Sequence, residues 1–352
     1  MSTLQEKVSL RLFGSICFVL ILVLAMVASP AQTRAQTPAK VIELKIAHGG
    51  TTTSNYHIVG EEFAKKISEQ TGGRVKVTIF PAGSLATHVT GVEATMKGIC
   101  DMSYAAMDFW PTANTSSIIN LHLVGWPSGA ERLTQIWREL HEAVPAMNAA
   151  YKDVKLLWMA ANPLMTLHFK KKTVRVPADI QGMKITSATP GVLSALGASP
   201  ISLPPAEVYM GLDRGVAEGL NGPFSFLLSF KIFPLVPYHT KVDCGSNAFL
   251  CIMNLAKWNS LPPDIQKIID DLSPWGAKRF CEVGEELEAK GIESCRELRH
   301  TFIEPTPEEI KLWLAGAKPG HEKWIAGMEA KGLPGRLVYD TARRLITEKY
   351  GR

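Results

Sequence analysis

Three adjacent acid pairs, Glu61-Glu62, Asp270-Asp271 and Glu285-Glu286, are the first residues in this chain whose types suit acid–base chemistry. All three fall within helical periodicity, where a solvated face is the ordinary reading. Asp101 opens a strand and has no acidic neighbour to pair with. No GxSxG, Walker, GxGxxG or HExxH pattern occurs, nor any CxxC or histidine pair at helical ligand spacing. The common catalytic signatures are therefore missing, and no metal or cofactor is expected.

Hydroxyl, amide and aromatic side chains gather instead at four places. Thr51, Thr52, Thr53, Ser54, Asn55 and His57 follow "VIELKIA", and Met107, Asp108, Phe109 and Trp110 follow "CDMSYAAM". Thr186, Ser187 and Thr189 follow "MKITS", and Asn221, Phe224 and Phe226 end or follow "VAEGLNGP". Each residue taken singly suits an ordinary turn or helix cap. Taken together at strand ends, they suit the walls of a small-molecule pocket. Trp110, in "DFWP" directly after a strand, reads as pocket wall, whereas Trp126 in "LVGWP" stays open between pocket and core. His57 reads as packing against the first helix.

The elements that must position these residues are α/β in grammar. Ile42, Leu44 and Ile46 alternate with polar neighbours, and Val59, Phe63 and Ile67 recur four apart on one helix face. Thr71-Gly72-Gly73 stops that helix, and "RVKVTIF" alternates again. This is the strand–helix–strand unit of an α/β sheet. A helix near Val89 to Lys97 leads to the strand "CDMSYAAM". The same grammar restarts after residue 150 with "VKLLWMA" and "MKITS", the helix "GVLSALGA", strand-like "SPISL" and the helix "PAEVYMGLDRG". From Lys257 the pattern turns helical, and Thr306-Pro307-Glu308-Glu309 is a capping box opening another helix. "LPGRLVYDTARRLITEKYGR" reads as a terminal helix, packed on the body or serving a dimer. The oligomeric state stays open.

The chain has 352 residues and is 46% hydrophobic, enough for two domains. Lys7 and Arg11 precede the apolar run Leu12 to Ala28, and "SPAQTRAQTPA" offers cleavage after Ala31 or Ala35. Residues 1–35 thus read as a secretory signal peptide, which exports the mature protein; a retained anchor is the other reading. The net charge of +5 falls further with that leader, and no basic stripe suggests nucleic acid. Cys100, Cys244, Cys251, Cys281 and Cys295 follow the leader. An odd number in an exported chain reads as buried small hydrophobes, with one disulfide left open.

Several stretches resemble the DctP-type solute-binding proteins of tripartite ATP-independent periplasmic (TRAP) transporters. They are "LKIAHGGTTTSNYHIVGEEFAKKISEQTGGRVKVTIFPAGSL", "MKGICDMSYA", "VPADIQGMKI", "LGASPISLPPAEVYMGLDRGVAEGLNGP" and "KWNSLPPDIQKII". The resemblance implies a two-lobed periplasmic-binding-protein-like α/β fold with a ligand cleft between lobes and a long helix spanning both. It places residues 36–163 and about 245–290 in one lobe, and 164–244 and about 291–352 in the other. It implies hinge closure on a small organic ligand, delivery to a permease of small and large integral subunits, and no catalysis. A ligand-presenting sensory protein is the alternative, and a periplasmic enzyme on the same scaffold a remoter one.

One departure from the family pattern bears on the ligand. Relatives commonly have Lys-Ile-Arg where this chain has Lys184-Ile185-Thr186, and that arginine clamps a carboxylate. A hydroxyl cannot replace a guanidinium fork. A second family arginine falls near Met165 or Thr166 and is absent too, while Asn221 matches a ligand-touching position. The expected ligand set is therefore Thr52, Ser54, Asn55, Asp108, Phe109, Trp110, Met165, Thr186, Thr189, Asn221 and Phe224. The expected ligand is not a simple carboxylate, unless His168 or Lys170 supplies the missing charge.

Overall fold

The computed structural model describes residues 41–351 apart from 108–109, 111–113, 122–123 and 188–189. Asp108, Phe109, Thr189 and the proposed leader lie outside the described residues. Strand β1 (Ile42–Ala47) runs parallel between β2 (Val75–Phe80) and β3 (Met102–Ala106), with Ile46 opposite Ile79 and Met102. Helix α1 (Asn55–Gln70) makes the crossover from β1 to β2, and its stripe of Val59, Phe63 and Ile67, spaced four apart, is fully buried. Helix α2 (Gly91–Met96) precedes β3, and α3 (Ala130–Ala143) precedes β4 (Val154–Ala161). The sheet is completed from far along the chain. Strand β10 (Ala248–Asn254) inserts antiparallel between β3 and β4, placing Cys251 opposite Tyr104 and Trp158.

The second sheet has the order β11-β9-β5-β8-β6-β7. Its strands are β5 (Thr166–Phe169), β6 (Lys184–Thr186), β7 (Ser199–Ile201), β8 (Gly219–Gly222), β9 (Tyr238–Thr240) and β11 (Thr301–Ile303). Strand β8 sits antiparallel to β5 and parallel to β6, so Leu220 lies opposite both His168 and Thr186. Three short helices, α4 (Pro190–Ala195), α5 (Val208–Asp213) and α6 (Phe224–Ser229), occupy the connections. The sequence stretch "PAEVYMGLDRG" divides at Glu207 into a 3-10 turn and α5. Pro204 before it and Pro205 at its start suit the entry to a helix but donate no N–H for a longer one.

Three stretches join the sheets. Residues 162–165 lead from β4 to β5, and 241–247 return from β9 to β10. The two run side by side, Asn162 N donating to Asn247 O at 3.0 Å and Met165 N to Gly245 O at 2.9 Å. The third follows α7 (Leu255–Ser260): a single helix α8 (Pro263–Glu297) of 35 residues, about 50 Å long at 1.5 Å per residue. It packs on α1 and β4 of the first sheet and on α6 of the second. Pro263 opens it where a missing N–H is harmless.

Helix α9 (Pro307–Glu329) starts at the expected capping box, Thr306 Oγ1 accepting from Glu309 N and Glu309 Oε2 from Thr306 N. It packs on α4, whereas the last helix α10 (Gly335–Tyr350) packs on α3. Val338, Ala342 and Ile346 of α10 share one buried cluster with Trp137 of α3 and with Leu167 and Ile185 of the second sheet. The C-terminal helix is thus seated on the body. All five cysteines of the described chain are buried and free. No helix among the described residues is long and apolar enough to cross a membrane.

Candidate ligand-binding cleft

The carboxyl ends of β1, β6 and β8 bring the strand-end residues beside the crossings between sheets. Ser54 is buried, and its hydroxyl donates back to Thr51 O at 2.7 Å, stiffening the turn before α1; Thr52 is exposed. Asn55 turns toward the crossing, where its Nδ2 donates to Asn162 Oδ1 at 2.9 Å. Asn162 Nδ2 donates in turn to Tyr56 Oη at 3.1 Å, and Ser246 Oγ donates to Asn162 O at 2.7 Å. Gly284 of α8 faces this junction, where a Cβ would make ordinary contacts, 3.4 Å to Pro163 and 3.6 Å to Asn55. The start of α1, both crossing segments and α8 therefore meet at one point.

Next to it lies an aromatic wall that the sequence reading did not single out. Tyr56 packs against His88 at 4.5 Å and Phe249 at 4.7 Å between ring centroids, and His48 lies 5.5 Å from His57. His88 Nδ1 donates to Tyr104 O at 3.2 Å. His48 is fully buried beside the Gly50 backbone, and neither ring nitrogen has a hydrogen bond of normal geometry. Burial, reinforced by His88 and His57, lowers the His48 pKa to about 3; burial lowers that of His88 to about 4. Both imidazoles are neutral at pH 7. The signal available in sequence was position: "AHGG" and "ATHVT" put a histidine just after β1 and just before α2.

On the second sheet, Thr186 ends β6 in register with Ile201 and Leu220 and is 5% exposed. Ser187 N donates to Ile201 O at 3.0 Å. Asn221 Nδ2 reaches Ser187 Oγ at 3.4 Å and Met165 Sδ at 3.7 Å. Thr186, Ser187, Asn221 and Met165 are thereby gathered, all neutral.

Residues 46–327 match the model of the DctP family, bacterial extracellular solute-binding protein, family 7. The chain belongs to that family. Similar relatives include the 2,3-diketo-L-gulonate-binding periplasmic protein YiaO of Escherichia coli, 24% identical over 64% of this chain and 70% of its own length. The C4-dicarboxylate-binding periplasmic protein DctP of Vibrio cholerae is 24% identical over 82% of this chain and 87% of its own. Among solved structures, a marine-metagenome TRAP solute-binding protein in complex with 3-hydroxybenzoate superposes with a TM-score of 0.80. It is 23% identical and covers 88% of this chain and 99% of its own. A TRAP solute-binding protein of Rhodoferax ferrireducens with copurified benzoate gives 0.79 at 22% identity, covering 88% and 98%. The architecture is the two-lobed one, with a ligand cleft between lobes and α8 spanning both.

The remaining expected residues of this DctP-family chain are placed less centrally. Phe224 is 2% exposed and packs edge-on to His168 and His239 and stacked on Phe302. Trp110 is partly buried, edge-on to Tyr151 at 5.2 Å. Trp126 is core, its Nε1 donating to Leu121 O at 3.0 Å. Neither substitute cation is free to meet a ligand. His168 is fully buried with both ring nitrogens hydrogen-bonded, and burial holds its pKa down to about 4. Lys170 Nζ donates to the carbonyls of Leu212 and Asp213.

Proposed function

We propose that this chain is an extracytoplasmic receptor that captures a small organic ligand by hinge closure and delivers it to a TRAP permease of small and large integral subunits. Residues 1–35 act as the export leader, and the mature protein works in the periplasm without catalysing a reaction. The crossings at 162–165 and 241–247 are the hinge, bending where chain stretches join the lobes. Those crossings support lobe boundaries near residues 163 and 245.

The ligand is a ring-bearing solute that needs no guanidinium clamp. The observation that carries this reading is Thr186, buried among Ser187, Asn221 and Met165 with His168 and Lys170 both committed elsewhere. Burying a carboxylate without a partner costs about 3–5 kcal/mol. Hydroxyl and amide groups at the ends of β6 and β8, with the rings of Tyr56, His88 and Phe249 near the start of α1, support a flat ring with hydrogen-bonding substituents as the ligand. A thermal-shift screen of the mature protein with neutral aromatics, polyols, amines, aromatic acids and C4-dicarboxylates tests it. Neutral ring compounds should raise Tm; tight calorimetric binding of a simple C4-dicarboxylate overturns it.

His48 favours one second reading, an aromatic acid, the ligand class found in the two structures described above. The His48 imidazole, neutral in the free protein, can take a proton when a carboxylate arrives to pair with it. Binding of benzoate would then tighten as pH falls from 8 to 6, whereas binding of a neutral ring stays flat.

A further inference from the structure

Three histidines form a hydrogen-bonded row behind the cleft-facing strand β8. His168 Nε2 lies 2.9 Å from Gly222 O, His168 Nδ1 2.7 Å from His239 Nδ1, and His239 Nε2 3.0 Å from His300 Nδ1. A carbonyl only accepts, so neutral His168 carries its proton on Nε2 and presents a lone pair at Nδ1. His239 must then donate from Nδ1, which leaves its Nε2 lone pair aimed at His300. One backbone carbonyl thus fixes the tautomer of a ring two hydrogen bonds away.

That lone pair points into a cluster of soft donors. Cys295, fully buried, offers a sulfur, and the ligand atoms of His239, Cys295 and His300 all lie within 4.8 Å of one another. The backbone holds them there. His300 N donates to Cys295 O at 3.0 Å, closing the end of α8 through Arg299 with its left-handed φ of 58°. Pairing of β11 with β9 sets Phe302 opposite His239, so His300 arrives beside the same strand. His300 itself is half-buried, which gives an ion a way in.

We propose that His239, Cys295 and His300 bind a borderline-soft divalent ion of the Zn2+ class. Donors of a tetrahedral zinc site stand about 2.0–2.3 Å from the metal, hence roughly 3.3–3.8 Å apart, so the imidazole pair opens slightly from 3.0 Å and the Cys295 sulfur draws in from within 4.8 Å. Two imidazoles and a thiolate select such an ion over Mg2+ or Ca2+, which prefer oxygen. The ion takes the place of the proton between His239 Nε2 and His300 Nδ1, with His300 protonated on Nε2 instead; water fills the fourth position. His168 and Gly222 form the outer hydrogen-bonded layer that metal-bound histidines normally require. The ion ties the end of α8 to β9 and, through His168, to β8 beside Asn221.

The test titrates the full chain, kept reduced and stripped with a chelator, with Co2+ and Zn2+. One-to-one binding is expected, with tetrahedral Co2+ bands in the visible and a thiolate-to-cobalt band in the near ultraviolet. Cys295→Ser should abolish the near-ultraviolet band. His300→Ala should weaken Zn2+ binding about 10–100-fold while leaving the thermal melt without metal close to the parent's. Absence of saturable binding by the parent chain overturns the proposal, as does binding left unchanged in both variants, which would locate the metal on other surface histidines. If Cys295→Ser does not fold, His300→Ala and the thiolate band decide between the same outcomes.

Discussion

Asn55 Nδ2 and Asn162 Oδ1 are 2.9 Å apart, joining the start of α1 to the crossing between sheets across 107 residues of sequence. Both side chains are buried, so removing one leaves the other without its partner. Asn55→Ala should lower unfolding stability by about 1–3 kcal/mol, read by urea titration. It should also weaken ligand binding, since the junction that positions the lobes is loosened. A variant with parental stability would show that the pair contributes nothing.

Thr186→Arg places at this position the charge that the family resemblance leads one to expect. In the cleft a guanidinium beside Ser187 and Asn221 can grip a carboxylate bidentately. Calorimetry should show binding of benzoate or succinate to the variant at least about tenfold tighter than to the parent, with part of the parent's neutral-ligand affinity lost. Unchanged carboxylate binding would remove position 186 from the cleft.

Glu288 of α8 gives the protein a pH-dependent stability. Its carboxylate is 8% exposed and accepts a hydrogen bond from Ser225 N at 2.8 Å. Burial raises its pKa from 4.5 to about 7 despite that bond. A raised carboxyl pKa means the folded state holds its proton more tightly than the unfolded chain does. Stability from this group is complete below pH 4.5 and is lost as pH rises through about 7. The loss is on the order of 3 kcal/mol at 1.36 kcal/mol per pKa unit. Glu288→Gln should flatten the fall in unfolding free energy between pH 5 and 8; an unchanged slope would assign it to other groups.

Thr306→Ala should cost about 1 kcal/mol, within the usual range for a lost N-cap. Differential scanning calorimetry of both chains reads the difference. Glu309 N loses its acceptor, but the Glu309 carboxylate keeps its bond from Thr306 N and its pair with Arg175 at 2.7 Å, so α9 should keep its seat on α4.

Local order was legible from local pattern. The alternation at Ile42, Leu44 and Ile46, the stripe Val59, Phe63 and Ile67, and the capping box at Thr306 each depend on neighbours within a few residues. "AFLCIMN" gave no such signal, because β10 is the interior strand between β3 and β4 and an unbroken apolar run has no period to read. Phe224 follows the cleft strand by two positions, yet the turn at Pro223 sends its ring under His168 and His239.

The sequence by itself determined the α/β grammar, the family likeness and a threonine at position 186, where the resemblance leads one to expect arginine, all properties of contiguous residues. Only the tertiary structure decided which groups stand free to meet a ligand. His168 and Lys170 were equal substitutes for that arginine in sequence, until sheet pairing set Gly222 against one and the end of α5 took the donors of the other. The row from His168 through His239 to His300 spans gaps of 71 and 61 residues. No spacing rule connects such positions; they meet because β5 and β11 flank β9 in one sheet.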